Sequence, residues 1–131
     1  MTETKRYTFT KKERLSSRTL VEGLFGGGGK SLPAFPLRVV YMQVEKEGIP
    51  EVTVLISVPK KRFKRAVKRN RVKRQIREAY RKNKDILLEP LRKSGKKIAV
   101  AFIWIDNELH ESAKVEAKVK KLLQLIAERF S

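Results

Sequence analysis

The chain has 131 residues, enough for one domain around one modest core, with 32 Lys and Arg against 14 Asp and Glu and a formal net charge of +18. Such an excess repels itself and weakens the compact state, so it implies a polyanionic partner, nucleic acid first and an anionic membrane second. The lack of cysteine excludes disulfides and thiolate chemistry, the single histidine, His110, excludes a His-rich metal site or a histidine pair sharing acid and base work, and no apolar run is long enough to span a membrane.

Residues 1–14 read as a loosely ordered basic arm without the apolar stretch of a secretory signal, so the expected location is cytoplasmic. A short helix is predicted over 16–25, capped by Ser16 or Ser17, with Leu20, Val21, Leu24 and Phe25 on one face. The glycines at 26–29 end it. Residues 36–44, rich in β-branched side chains, read as a strand. Residues 51–59 read as a second, with Val52, Val54, Ile56 and Val58 on one side and Pro59 at its end. The short polar link between them, with Gly48 suited to a turn, predicts an antiparallel pair.

A basic loop, "PKKRFKR", leads into a helix predicted over 66–83. A helical turn over 84–95 is expected to stop near Pro90 and Gly95. The nearly continuous apolar run at 96–104 is the mark of a strand buried on both faces. Asp106, Asn107 and Glu108 read as caps of a final helix whose apolar positions are Val115, Val119, Leu122, Leu123, Ile126 and Phe130. The order α-β-β-α-β-α predicts a single-domain α+β sandwich over residues 1–131, one sheet with helices packed on it. A strand, a long helix and a further strand suggest a crossover between parallel strands.

Helix 66–83 has two unlike faces. Val72, Ile76, Ala79 and Tyr80 cluster on one side; Asn70, Arg74, Arg77 and Arg81 lie opposite, over about 16 Å of axis, flanked by Arg71 and Lys82. Phe63 and Val67 fall off the apolar stripe. Like-charge neighbours such as Arg69/Lys73 and Arg71/Arg74 together cost about 1–3 kcal/mol, which Glu78 partly relieves through Arg74 and Lys82. Residues 60–82 carry 13 basic side chains and one acid, whereas a merely solvated face would mix signs. Arginine, dominant here, presents a planar fork that matches phosphate oxygens and stacks on bases. A helix-turn-helix protein would place a second helix directly before this one; a strand and a basic loop stand there, which favours shape recognition of structured RNA.

Smaller signals weigh less. Gly29, Lys30 and Ser31 fit the end of a phosphate-loop motif, but its first glycine would be Leu24 and the order of elements is wrong. Phe35, Arg38 and Tyr41 lie on or beside the first strand, with core packing the competing role for Tyr41. Tyr80 and Trp104 read as core, His110 as a surface residue near a helix start.

The stretch "SVPKKRFKRAVKRNRVKRQIREAYR" resembles the signature of the bacterial ribonuclease P protein component. The matching residues are Lys60, Lys61, Ala66, Arg69, Asn70, Arg71, Lys73, Arg74, Arg77 and Glu78. The likeness extends to Arg14 and Leu15 before the first helix, Phe25 at its end, the Pro-initiated strand, the "IAVAFI" strand and the last helix. It implies an αβββαβα fold with a left-handed crossover between parallel strands, an exception to the usual hand. It also implies the small subunit of a ribonucleoprotein that cuts the 5′ leader from precursor tRNA. The chemistry then belongs to the RNA subunit, with Mg²⁺ held mainly by RNA, and the protein, with no catalytic residue of its own, is a monomer in a one-to-one assembly with that RNA.

By the resemblance and the charge together, the candidate RNA-facing residues are Lys60, Lys61, Arg62, Lys64, Arg65, Lys68, Arg69, Asn70, Arg71, Lys73, Arg74, Arg77 and Arg81. A cleft between the sheet and the first helix is implied to hold the leader as a single strand, with Phe25, Arg38 and Tyr41 as candidates. The family often carries two aromatics four apart on that helix; Phe25 matches the second and Val21 stands in the place of the first, which weakens base stacking there. The glycine run goes beyond the family pattern. The alternative is a ribosomal or chaperone-type RNA-binding protein, which explains the charge but not the long motif.

Overall fold

The computed structural model describes residues 22–45 and 48–130. The basic arm and most of the helix expected over 16–25 lie outside the described residues. A short helical segment, Leu24–Gly28, leads into a four-stranded sheet of β1 (Lys30–Ala34), β2 (Leu37–Val44), β3 (Val52–Ser57) and β4 (Lys97–Trp104). Three helices complete the fold: α1 (Ala66–Asn83), α2 (Asp85–Ser94) and α3 (Ser112–Glu128).

The spatial order is β1-β2-β4-β3. β4 runs antiparallel to β2, with Tyr41 opposite Val100, and parallel to β3, with Val54 opposite Val100. Its central place explains its composition: hydrogen-bonded at both edges and covered on both faces, it has no use for polar side chains. Ile98, Val100, Phe102 and Trp104 join the main core beneath the helices, while Ala99 and Ala101 face a smaller cluster with Leu24, Val40 and Val44.

This arrangement corrects the expected pairing of the second and third strands. They run antiparallel, but β4 lies between them. Skipping one strand means spanning about 10 Å, well within the reach of a seven-residue link, so loop length does not separate a hairpin from a hairpin split by an inserted strand. The parallel crossover from β3 to β4 is as expected. Strand β1, "KSLPA", is missing from the reading of the residues and supplies the third strand that the family resemblance implies before the long helix. It is an edge strand, largely exposed and without alternation, and an edge tolerates Pro33 because one row of amides needs no partner. The glycine run before it is structured: Gly27 has φ +105°, and a Cβ on Gly29 would lie 2.5 Å from Val40 Cγ1 and 2.7 Å from the Leu24 carbonyl oxygen.

Two helix ends differ from expectation. α2 continues through Pro90 to Ser94, because burial of Leu87, Leu88 and Leu91 outweighs the one backbone bond that proline removes; it ends at Gly95, with φ 72°. α3 begins at Ser112 rather than beside Asp106–Glu108, with its five buried apolar residues as read from the sequence.

Candidate nucleic-acid interface

Helix α1 spans the expected residues and buries the expected four: Val72, Ile76, Ala79 and Tyr80. Tyr80 packs on Phe102 of β4 at a ring separation of 6.2 Å, which fixes the rotation of the helix about its axis. The opposite face is therefore outward. Lys68, Asn70, Arg71, Arg74 and Lys82 are exposed, and Arg69, Lys73, Arg77 and Arg81 are half-buried, their stems lying along the surface.

Not every cation is available. Glu78 pairs with Arg81, one turn on, rather than with Arg74 and Lys82 as expected. That bond holds the Glu78 carboxyl below its ordinary range, with the charges of Arg81 and Lys82 adding to the effect, and raises the Arg81 guanidinium in turn. Among the described residues no carboxylate forms an ion pair with Lys68, Arg71, Lys73, Arg74 or Arg77. The row of guanidiniums is thus open over its first two turns and internally neutralised at its last member.

The loop before α1 is held in place. Phe63, which does not follow the helical period, turns back into the core and is 5 % exposed. Arg69 Nη1 donates to the carbonyl oxygens of Phe63 at 2.7 Å and Lys64 at 2.8 Å. Arg62 N donates to Pro59 O at 3.0 Å and closes a turn. Lys60, Lys61, Lys64 and Arg65 are exposed on this pinned loop. Arg65 flanks the helix in extended conformation, with no side-chain cap and no acid in the first turn. The orphan amides of the helix start thus face a cation-rich surface and are free to meet phosphate oxygens.

The segment between β4 and α3 braces the same surface. Gln75 Nε2 donates to His110 O at 2.9 Å and Ser112 Oγ at 3.1 Å, and Arg62 Nη1 donates to Asn107 Oδ1 at 3.3 Å. Asp106 does not cap α3. It bonds His110 Nε2 at 2.6 Å and accepts from the Asn107 amide at 2.7 Å, bonds that hold its carboxyl below the usual range. His110 is not a free surface residue: it sits edge to face with Trp104 and Phe35.

The leader-cleft candidates divide. Phe25 is half exposed, and Arg38 is exposed on the sheet face that carries Val40, Ala99 and Ala101, its Nε donating to Ser31 Oγ at 2.8 Å. Tyr41 belongs elsewhere: it is buried in the helix-covered core against Phe130, at a ring separation of 6.3 Å. Strand alternation sends residues 39 and 41 to one face and 38 and 40 to the other, so Arg38 and Tyr41 cannot share a surface. Lys30 and Ser31 belong to edge strand β1, not to the start of a helix, so no phosphate loop forms.

Residues 9–127 match the family model described as Ribonuclease P. The chain is 42 % identical over 127 residues to the ribonuclease P protein component of Porphyromonas gingivalis strain W83, covering 97 % of this chain and 92 % of that one. It is 38 % identical over 93 residues to the namesake from Chlorobaculum tepidum, covering 66 % and 60 %. The RNase P protein from Thermotoga maritima superposes with a TM-score of 0.66 at 27 % identity, over 86 % of this chain and 96 % of the other. A Staphylococcus aureus RNase P protein mutant shares the fold with a TM-score of 0.69 at 20 % identity, over 88 % and 89 %.

Proposed function

The chain belongs to the ribonuclease P protein family, and from that premise we propose that its α1 face and the loop before it dock on the RNA subunit of ribonuclease P and help that RNA cut the 5′ leader from precursor tRNA. The observation that carries this reading is the division of α1: an apolar stripe packed on β4 and, on the outward side, the guanidiniums of Arg71, Arg74 and Arg77, which have no carboxylate partner among the described residues, with Arg81 alone paired to Glu78. The family is that of a ribonucleoprotein endonuclease subunit, so the partner RNA follows from membership.

The described residues bring together no group of three or more His, Cys, Asp or Glu side chains able to hold a metal, and His110 is engaged by Asp106 and Trp104. The proposed contribution is electrostatic: fixed cations lower the repulsion between two RNAs, while Mg²⁺ bound by RNA serves the cleavage step. The proposed assembly holds one copy of the protein per RNA, as the family resemblance implies. Phe25 and Arg38 remain as the candidates for contact with the leader.

The test is reconstitution. The protein added to the RNA subunit should support precursor tRNA cleavage at physiological ionic strength, and the Arg71→Ala, Arg74→Ala double variant should fold but fail to. RNA co-purifying with the protein should itself cleave precursor tRNA in Mg²⁺; ribosomal RNA in its place would favour the ribosomal or chaperone reading.

A further inference from the structure

Phe35, like Phe25, is an exposed aromatic residue outside the core. It stands in the turn between β1 and β2, is 57 % exposed and belongs to neither apolar cluster. Among the described residues its ring contact is with His110, at 6.4 Å and 81°. His110 is fixed from behind by Asp106 at 2.6 Å and by the Trp104 ring at 5.4 Å and 72°. The turn itself is tied down by the Ile105 amide, which donates to Pro36 O at 2.9 Å. Phe35 is therefore an open aromatic surface on a rigid mount.

That mount is shared with the cationic surface. Asn107, whose amide bonds Asp106, accepts from Arg62 of the basic loop, and the backbone of His110 accepts from Gln75 of α1. Pairing of Leu37 with Trp104 and of Ser57 with Ile103 puts the β1–β2 turn and the start of the basic loop at the same end of the sheet. Cations that track a backbone, beside an aromatic face on which a base can stack, are the two parts of a single-strand binding site.

We propose that Phe35 is a stacking platform for an unpaired base of RNA whose phosphates lie on the basic loop. This rests on the RNA-binding reading above and adds a second site, distinct from the leader candidates Phe25 and Arg38. The unpaired base belongs either to the leader of precursor tRNA or to the RNA subunit.

The test uses the assembled ribonucleoprotein with Phe35→Ala and Phe35→Trp. Loss of one stacked base corresponds to roughly a 5- to 150-fold weaker affinity. Phe35→Ala should weaken one RNA by about tenfold, with an unchanged slope of log affinity against log salt, because no cation is lost. Phe35→Trp should bind as the wild type or tighter. A loss confined to precursor tRNA that vanishes when the leader is shortened assigns the base to the leader; a loss confined to assembly assigns it to the RNA subunit. Wild-type affinity of Phe35→Ala for both RNAs overturns the proposal. The Arg71→Ala, Arg74→Ala variant run alongside separates the two readings, since its retaining full affinity would overturn RNA docking by α1 itself.

Discussion

The guanidinium of Arg69 donates to the carbonyl oxygen of Phe63 at 2.7 Å, so a side chain of α1 closes back on the loop that precedes it. With the Lys64 carbonyl as its second acceptor, one nitrogen of Arg69 shapes the protein rather than meeting a partner. The family's Arg-Asn-Arg triplet is thus divided here: Arg69 organises the loop, and Asn70 and Arg71 face outward.

Arg69→Met should accordingly loosen the loop with no RNA present. We expect faster amide exchange across residues 60–65 and a loss of about 1.5–3 kcal/mol in urea unfolding, the range for hydrogen bonds that involve a charged group. Unchanged exchange in the free protein would show that Arg69 does not pin the loop.

The glycine run should respond unequally to substitution. Gly29→Ala drives a methyl into Val40 and the Leu24 carbonyl and should cost about 1–3 kcal/mol. Gly26→Ala meets nothing within 4 Å and, at φ −94°, should change stability by no more than about 0.5 kcal/mol. Equal urea midpoints for the two variants would contradict the close approach of Gly29 to Val40 and the Leu24 carbonyl.

Stability should fall on the acid side. Asp106 and Glu78 both have folded-state pKa values held below those of the unfolded chain. Each group's contribution is complete above its unfolded value near 4 and is lost as pH drops through the lowered one. Melting temperatures taken from pH 6 down to pH 3 should decline, and less steeply in Asp106→Asn. Identical slopes in the two proteins would mean that the His110 bond does not favour the ionised carboxyl.

Sulfate or phosphate should raise the melting temperature above that in chloride at matched ionic strength, by occupying the open cations of α1. Such anions also stabilise proteins generally. The distinguishing result is a smaller gain in the Arg71→Ala, Arg74→Ala variant; an equal gain in both would leave no role for anion binding at that face.

How far the sequence was legible depended on whether one residue's role followed from its neighbours. α1 could be read to its ends because Val72, Ile76, Ala79 and Tyr80 recur at helical spacing. The buried character of β4 followed from an unbroken apolar run. Strand order did not, because the link from β2 to β3 accommodates either arrangement. β1 is implied only by the family resemblance and is not readable from the residues, because an exposed edge strand needs no alternation. Tyr41 cannot be placed without a strand register; Phe63 reads correctly as a loop residue, but its burial is hidden because loop anchors obey no period; and the Asp106–His110 bond is hidden because an acid before a helix looks like a cap. The exposed face of α1 was plain in the charge count; the pairing of Glu78 with Arg81 was a choice among three cations that spacing alone leaves open.

The most direct measurement is the affinity of the protein for the RNA subunit over a range of salt, wild type against Arg71→Ala, Arg74→Ala. If the two guanidiniums each meet a phosphate, the double variant should bind more weakly and its log–log salt slope should be shallower by about 1.4–1.8, two contacts at roughly 0.7–0.9 each. The same affinity and the same slope in both proteins would contradict the assignment of the outer face of α1 to RNA.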